Sequence, residues 1–444
     1  MENLKWSRYN FLLNSSRHGK FIYNSYTNTF LELDDSLFED FNSLSQSKSV
    51  QKDLRDIFSQ EELMYFKDNY ILNESDDDLV DIMHHQSMAR IFDKKHLVLT
   101  IAPTQNCNFN CSYCYEKWRN SGSMSDETED ALIKHLNELK VTFGLETINL
   151  TWYGGEPLLE HMRIASLGKK INKLGIKIIE CEIITNGYLF NEKNVQTLID
   201  VGVNQVQITI DGFKEIHDQR RPLLSGIGTF DKIIKNLDFF FANENKDKLT
   251  IALRVNIDKS NSDTYLETYN WLKSRYPQEN LLVYPGWIYL DETNEKKCDC
   301  FGRNEATDFC LDLSKNNGIV SEKIFPDDIN MECLVRNPNS LIVGWKGEIY
   351  KCFEDLGNEE LIVGSLHDKD IWTNQELISK YSVGIDHYND PKCIKCSYLP
   401  ICNGGCPLRR LENKYHGKSN DCCTPFKGRL NDYLELYYEN IQRK

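Results

Sequence analysis

Between Leu97 and Tyr289 the chain alternates short β-rich runs with amphipathic helical stretches. The runs are LVLTIAP (97–103), TINLTWYGG (147–155), KIIECEIITNG (177–187), NQVQITIDG (204–212), TIALRVNID (250–258) and NLLVYPGWIYL (280–290). Helical stretches follow at Ser125, Pro157, Asn191, Thr229 and Asn261. In the first, Ser125 can cap, Asp126 and Glu127 suit the positive end of the dipole, and Leu132, Ile133, Leu136 and Leu139 form the apolar stripe. Strands alternating with helices predict an α/β fold with a parallel sheet and right-handed crossovers. Six units fit an open or partial barrel better than a closed eight-stranded one.

The flanks differ. Residues 1–92 offer three short strands, RYNFLLNS, GKFIYNS and TFLELD, and two helices, DSLFEDFNSL and SQEELMYFKDN. They predict a small α+β domain with an exposed sheet edge. The run Asp76–Asp78 reads as a solvated face or a helix start. The predicted division is 1–92, 93–290, a polar linker at 291–332, a cysteine-rich domain at 333–430 and a C-terminal helix at 431–444.

The net charge of −15 argues against nucleic acid, because phosphate binding needs a basic face. Residues 1–30 hold no apolar run like a signal peptide, and no stretch reaches the roughly 18–20 apolar residues of a membrane span. A cytoplasmic location without membrane contact is expected. In such a compartment the 15 cysteines point to metal or redox chemistry rather than disulfides. They form two fields: Cys107, Cys111 and Cys114, then eleven from Cys298 to Cys423, with Cys181 between as a core thiol.

Four thiolates commonly hold a four-iron cluster; three leave one iron open, as open positions mark catalytic metal sites. From spacing alone, a zinc site or incidental core thiols remain open. The triplet lies just beyond a strand's C-terminal end, where parallel α/β folds place their chemistry. The next strands end in Tyr153-Gly154-Gly155-Glu156-Pro157, in Thr185-Asn186-Gly187 and in Asp211-Gly212, and the fifth carries Arg254 and Asn256 on one face. The two glycines would allow close approach to backbone, and Glu156 offers a carboxylate.

Cys107-x3-Cys111-x2-Cys114, with Tyr113 before the last cysteine, resembles the cluster motif of the radical S-adenosylmethionine (SAM) superfamily, and Gly154-Gly155-Glu156 its methionine-binding motif. The resemblance implies a partial (β/α)6 TIM-like barrel, with Asn186, Thr209 and Arg254 lining the ribose and carboxylate pocket and Tyr113 near the adenine. It also implies that the open iron binds SAM and that a 5′-deoxyadenosyl radical abstracts hydrogen from substrate.

Cys333, Cys352, Cys393-x2-Cys396-x5-Cys402-x3-Cys406 and Cys422-Cys423 resemble the SPASM domain, which carries two auxiliary clusters. Three [4Fe–4S] clusters are thereby implied. Cys393, Cys396, Cys402 and Cys422 or Cys423 would hold the outer auxiliary cluster, and Cys333, Cys352 and Cys406 the inner one. An eighth ligand would come from Cys298, Cys300 or Cys310, or stay open for a substrate thiolate. The layout of 1–92 resembles a RiPP recognition element, which binds a precursor's leader peptide by strand addition.

The whole resembles a maturase of ribosomally made precursor peptides that installs a cross-link, with a thioether favoured and a carbon–carbon or carbon–oxygen link next. An external electron donor such as flavodoxin or ferredoxin is implied. Sulfatase maturation is disfavoured, since Phe353 stands where sulfatase-maturing members carry aspartate. A non-catalytic iron–sulfur or zinc scaffold that binds peptide is the alternative from another class. No side chain is singled out as the catalytic base.

Overall fold

The computed structural model describes residues 4–46, 54–116, 121–243, 247–288, 299–320, 324–327, 329 and 331–442. The chain forms two compact units. One comprises 1–92, 307–337 and 380–444; the other comprises 93–306 and 338–379.

In the first unit, strands β1 (Lys5–Trp6), β2 (Asn10–Ser15), β3 (Gly19–Asn24), β4 (Thr29–Leu33) and β5 (Leu72–Asn73) make two sheets, β2-β3-β4 and β1-β5. Side-chain alternation gives β3 two buried faces. Ile22 packs with Phe38, Phe41, Leu63 and Phe66 from the helices Asp35–Gln46 and Gln60–Asp68. Phe21 and Tyr23 pack instead with Leu311, Phe426, Tyr433 and Leu434. Each large apolar side chain so buried contributes about 1.5–3 kcal/mol. The acidic run Asp76–Asp78 opens the helix Asp76–Ile91, capped by Ser75.

This arrangement departs from the linear division in two respects. The 291–332 stretch expected as a linker carries the helix Arg303–Asn317, which buries Thr307, Cys310, Leu311 and Leu313. The stretch 333–430 is shared between the units, with 338–379 belonging to the second.

The second unit is built on β6 (His96–Ile101), β7 (Thr147–Trp152), β8 (Lys177–Thr185), β9 (Gln205–Thr209), β10 (Thr250–Ile257) and β11 (Leu281–Trp287). These six pair in parallel in chain order. β6 does not meet β11, so the barrel is open; instead β12 (Leu341–Val343), β13 (Glu348–Tyr350) and β14 (Gly364–Ser365) extend the sheet beyond β6. The six expected strands are all present. The helix Asp126–Phe143 starts at Ser125, whose side chain accepts from Thr128 N, and ends at Gly144 in the left-handed region. Cys181 is fully buried on β8, and burial pushes its thiol up to about 12. Among the described residues no helix is long and apolar enough to cross a membrane.

Candidate active site

The chain after β6 leaves the sheet and turns through Cys107, Cys111 and Cys114, all half-buried. Two segments distant in sequence brace this loop through backbone bonds. From the end of β7, Gly155 N donates to Thr104 O (3.2 Å) and Glu156 N to Asn106 O (2.8 Å). On the other side, Ser112 N donates to Arg220 O (3.0 Å), Asn110 N to Pro222 O (2.8 Å) and Leu224 N to Asn108 O (2.9 Å). The second brace was not anticipated; its local signal is Arg220-Arg221-Pro222, a basic pair followed by a residue that stops a helix.

The glycine pair does allow close approach, but to the chain's own backbone. Gly154 has φ +115°, and a Cβ there would lie 2.2 Å from Thr104 O. Glu156 is fully buried, and its carboxylate accepts from Thr185 Oγ1 (2.7 Å), Asn186 N (2.7 Å) and Leu158 N (3.0 Å). Burial raises its pKa against the pull of these donors. Its evident work is to tie the end of β7 to the end of β8. That carries Asn186 to the thiol loop, where Nδ2 donates to Asn108 Oδ1 (2.8 Å) and lies 3.9 Å from Cys107 Sγ.

Tyr113 is held by its hydroxyl, which donates to Asp211 Oδ1 (2.8 Å) and accepts from Arg221 NH1 (2.7 Å) and Asn256 Nδ2 (3.1 Å). Burial pushes its pKa upward. Thr209 and Arg254 face each other in register on β9 and β10. Arg254 Nε and Asn256 Oδ1 are buried without a hydrogen-bond partner among the described residues. Both crowd Gly286 on β11, where a Cβ would lie 2.2 Å from Arg254 Nε and 2.4 Å from Asn256 Oδ1. Buried polar atoms left unmatched are costly, so a donor and an acceptor at these strand ends fit a polar ligand.

Cys352 follows β13 in the same unit. Its N–H donates to Asp355 Oδ2 (3.1 Å), so that buried carboxylate is engaged, whereas Glu354 is exposed. Phe353 packs edge-on against Tyr153, with ring centroids 4.9 Å apart. Tyr153 hydrogen-bonds through its hydroxyl to Tyr115. Burial first, then the charges of Cys114, Cys352 and Glu354, raise the pKa of Tyr153, while Arg254 opposes them. One tyrosine thus senses both the triplet and the Cys352 segment. It stands in the very motif read for its glycines, but no local pattern hints at that role.

In the other unit, Cys396, Cys402 and Cys423 share one electrostatic neighbourhood beneath Lys427, whose Nζ donates to Cys423 Sγ (3.2 Å). Cys393 lies by Arg410, whose NH1 donates to its sulfur (3.5 Å). Cys422, one of the two adjacent candidates, senses Arg410 and Cys406 and accepts from Asn413 Nδ2 (3.6 Å). Gly405, at φ +71°, approaches this pair closely: a Cβ there would lie 1.6 Å from Cys422 O. Burial raises Cys393 and Cys422 to about 11. Cys333 belongs to this unit, as does Cys310, which is buried within its helix. Cys298 lies outside the described residues. Among the described residues, no three His, Cys, Asp or Glu side chains converge as a single-ion site would require.

Residues 101–272 match the Radical SAM superfamily. The chain is 25% identical over 369 residues to a cysteine-type anaerobic sulfatase-maturating enzyme of Clostridium novyi (strain NT), covering 75% of this chain and 94% of that one. Its fold is similar to that of anSMEcpe with bound AdoMet and Cp18Cys peptide, with a TM-score of 0.57 at 20% identity over 78% of this chain and 98% of that one. It is also similar to Streptococcus suis SuiB bound to precursor peptide SuiA, with a TM-score of 0.54 at 16% identity over 94% and 99%. An open parallel barrel, a thiol triplet after its first strand and the superfamily match define a radical SAM domain. The chain therefore carries a radical SAM domain and is an enzyme. That domain implies one four-iron cluster and SAM, and the triplet with the unmatched atoms of Arg254 and Asn256 fits both.

Proposed function

We propose that the protein modifies a peptide, a ribosomally made precursor, by abstracting hydrogen from an unactivated carbon and closing a thioether. The observation that carries this reading is Tyr153, whose hydroxyl bonds to Tyr115, the residue after Cys114, and whose ring packs on Phe353, the residue after Cys352. A substrate held beside it would lie between the triplet loop and the Cys352 segment of the same unit. Fold likeness to SuiB bound to precursor peptide SuiA, over 94% of this chain, supports a peptide substrate.

When bound, the cluster and SAM supply an electron, methionine and a carbon radical that takes a hydrogen atom from substrate. Cys107, Cys111 and Cys114 would hold the metal, leaving one iron open. Gly154, Gly155 and Glu156 would shape the amino-acid end of the SAM pocket, Asn186, Thr209 and Arg254 the ribose and carboxylate end, and Tyr113 the adenine side. Cys393, Cys396 and Cys402 would hold an auxiliary cluster, with Cys423 preferred over Cys422 as fourth ligand because Cys423 shares their neighbourhood. Cys333, Cys352 and Cys406 remain the expected ligands of another. The free edge of the 1–92 sheet would bind the leader, and a small cytoplasmic electron carrier, such as flavodoxin or ferredoxin, would supply the first electron.

Thioether closure loses one hydrogen as the abstracted atom and one as the thiol proton, while the odd electron leaves to an acceptor. Coexpression with a candidate precursor should therefore lower the peptide mass by two hydrogens per link, with the linked cysteine refractory to alkylation. An unchanged mass would contradict the proposal; the same mass loss with alkylatable cysteines would point to a carbon–carbon or carbon–oxygen link. Sulfatase maturation is the second reading, favoured by likeness to the Clostridium novyi enzyme along 94% of its length. Phe353, packed on Tyr153 in place of an aspartate, counts against it.

A further inference from the structure

Two adjacent arginines beside the thiol loop have opposite surroundings. Arg220 is matched by carboxylates: Nε donates to Asp211 Oδ2 (2.9 Å) and NH1 to Asp258 Oδ2 (3.1 Å). Arg221 is more deeply buried, with side-chain exposure of 8%. Its NH1 donates to the neutral hydroxyl of Tyr113 (2.7 Å), and Asp211 Oδ1, 4.0 Å away, accepts from Tyr113 while the other oxygen of that carboxylate holds Arg220. Its guanidinium lies 5.7 Å from the centre of the Phe109 ring, and Nε has no hydrogen-bond partner among the described residues.

A buried cation requires compensating negative charge. Arg221 lies on the segment that pairs with the thiol loop around Cys111, and the groups of opposite charge near it are Cys111, Asp211 and buried Glu156. The backbone places it there: Arg220 and Pro222 accept bonds from Ser112 and Asn110, on either side of Cys111.

We propose that Arg221 is the charge partner of the metal-bound thiolates of the Cys107–Cys111–Cys114 loop, holding Tyr113 and favouring the reduced, more negative state of the centre. The proposal rests on the reading that this triplet carries a four-iron cluster. A cluster bound by three thiolates gains one negative charge on reduction. A fixed cation nearby stabilises that state more than the oxidised one, and low effective dielectric preserves the difference.

The test is a redox titration of the anaerobically reconstituted full chain, following the electron paramagnetic resonance signal that SAM perturbs. Arg221→Gln keeps a donor for Tyr113 but removes the charge. It should lower the reduced-to-oxidised ratio at a given potential at least tenfold, a shift of about 59 mV toward more negative potential. Arg221→Lys should retain the wild-type midpoint. A full-iron Arg221→Gln protein with an unchanged midpoint would overturn the proposal. If that variant does not hold iron, Arg221→Lys decides: a wild-type midpoint supports the charge role, and a tenfold shift refutes it. Absence of any SAM-perturbed signal in the wild type would instead refute the cluster reading itself.

Discussion

The two thiol fields are supported in different ways. The barrel triplet rides on a loop fixed by backbone bonds from β7 and from Arg220–Leu224, above a sheet whose Leu97, Leu99, Ile148, Ile183 and Ile208 are buried without metal. The thiols at 393–423 sit among short helices and turns, Leu399–Cys402 and Pro407–Tyr415, with glycines at positive φ between them. Where apolar packing already determines the shape, metal is free to serve chemistry. Where turns dominate, metal binding would contribute to folding itself.

Mutation separates these cases. The largest effect should follow Cys114→Ala: SAM cleavage falls to background and one cluster's iron is lost, while thermal unfolding barely changes. A matching fall in melting temperature would erase the contrast. Next, Cys402→Ala should cost several kilocalories per mole and open 380–444 to protease, with the barrel intact. An unchanged protease pattern would show that this region does not need its metal.

Much of the barrel was legible because buried parallel strands read as apolar runs and helix starts carry caps such as Ser125 and Asn191. The triplet and the Gly-Gly-Glu turn were equally visible. The brace at 220–224 was not, because it consists of backbone pairing across more than a hundred residues, which no local pattern encodes. The helix Arg303–Asn317 was hidden by a mostly polar sequence with few apolar positions. The union of 1–92 with 380–444 was hidden for a related reason: Phe21 and Tyr23 declare a buried face but not that Tyr433 and Leu434 cover it.

Smaller substitutions sharpen the account of the barrel. Glu156→Gln keeps the volume but sets an amide donor against either Thr185 or Asn186, which should cost about 1–3 kcal/mol and weaken SAM binding. A urea midpoint and a SAM titration check both; no change in either would remove Glu156 as the tie between β7 and β8. Away from the site, Arg163 contacts buried Glu129, and Lys170 lies 2.9 Å from its Oε1. Burial raises the Glu129 pKa, but Ser166, Arg163 and Lys170 outweigh it and the net shift is downward. A carboxylate depressed on folding adds stability above its unfolded pKa and loses it as pH falls through the folded one. Arg163→Met should therefore cost about 1 kcal/mol at neutral pH. The two proteins should converge as acid protonates Glu129; a gap that persists would show the loss to be packing rather than charge.

The decisive measurement is the fate of SAM itself. Anaerobically reconstituted protein, given reductant and SAM, should release 5′-deoxyadenosine and methionine in equal amounts, and Cys107→Ala, Cys111→Ala and Cys114→Ala should each abolish both. A fully iron-loaded protein that leaves SAM intact would contradict a catalytic metal held by that triplet.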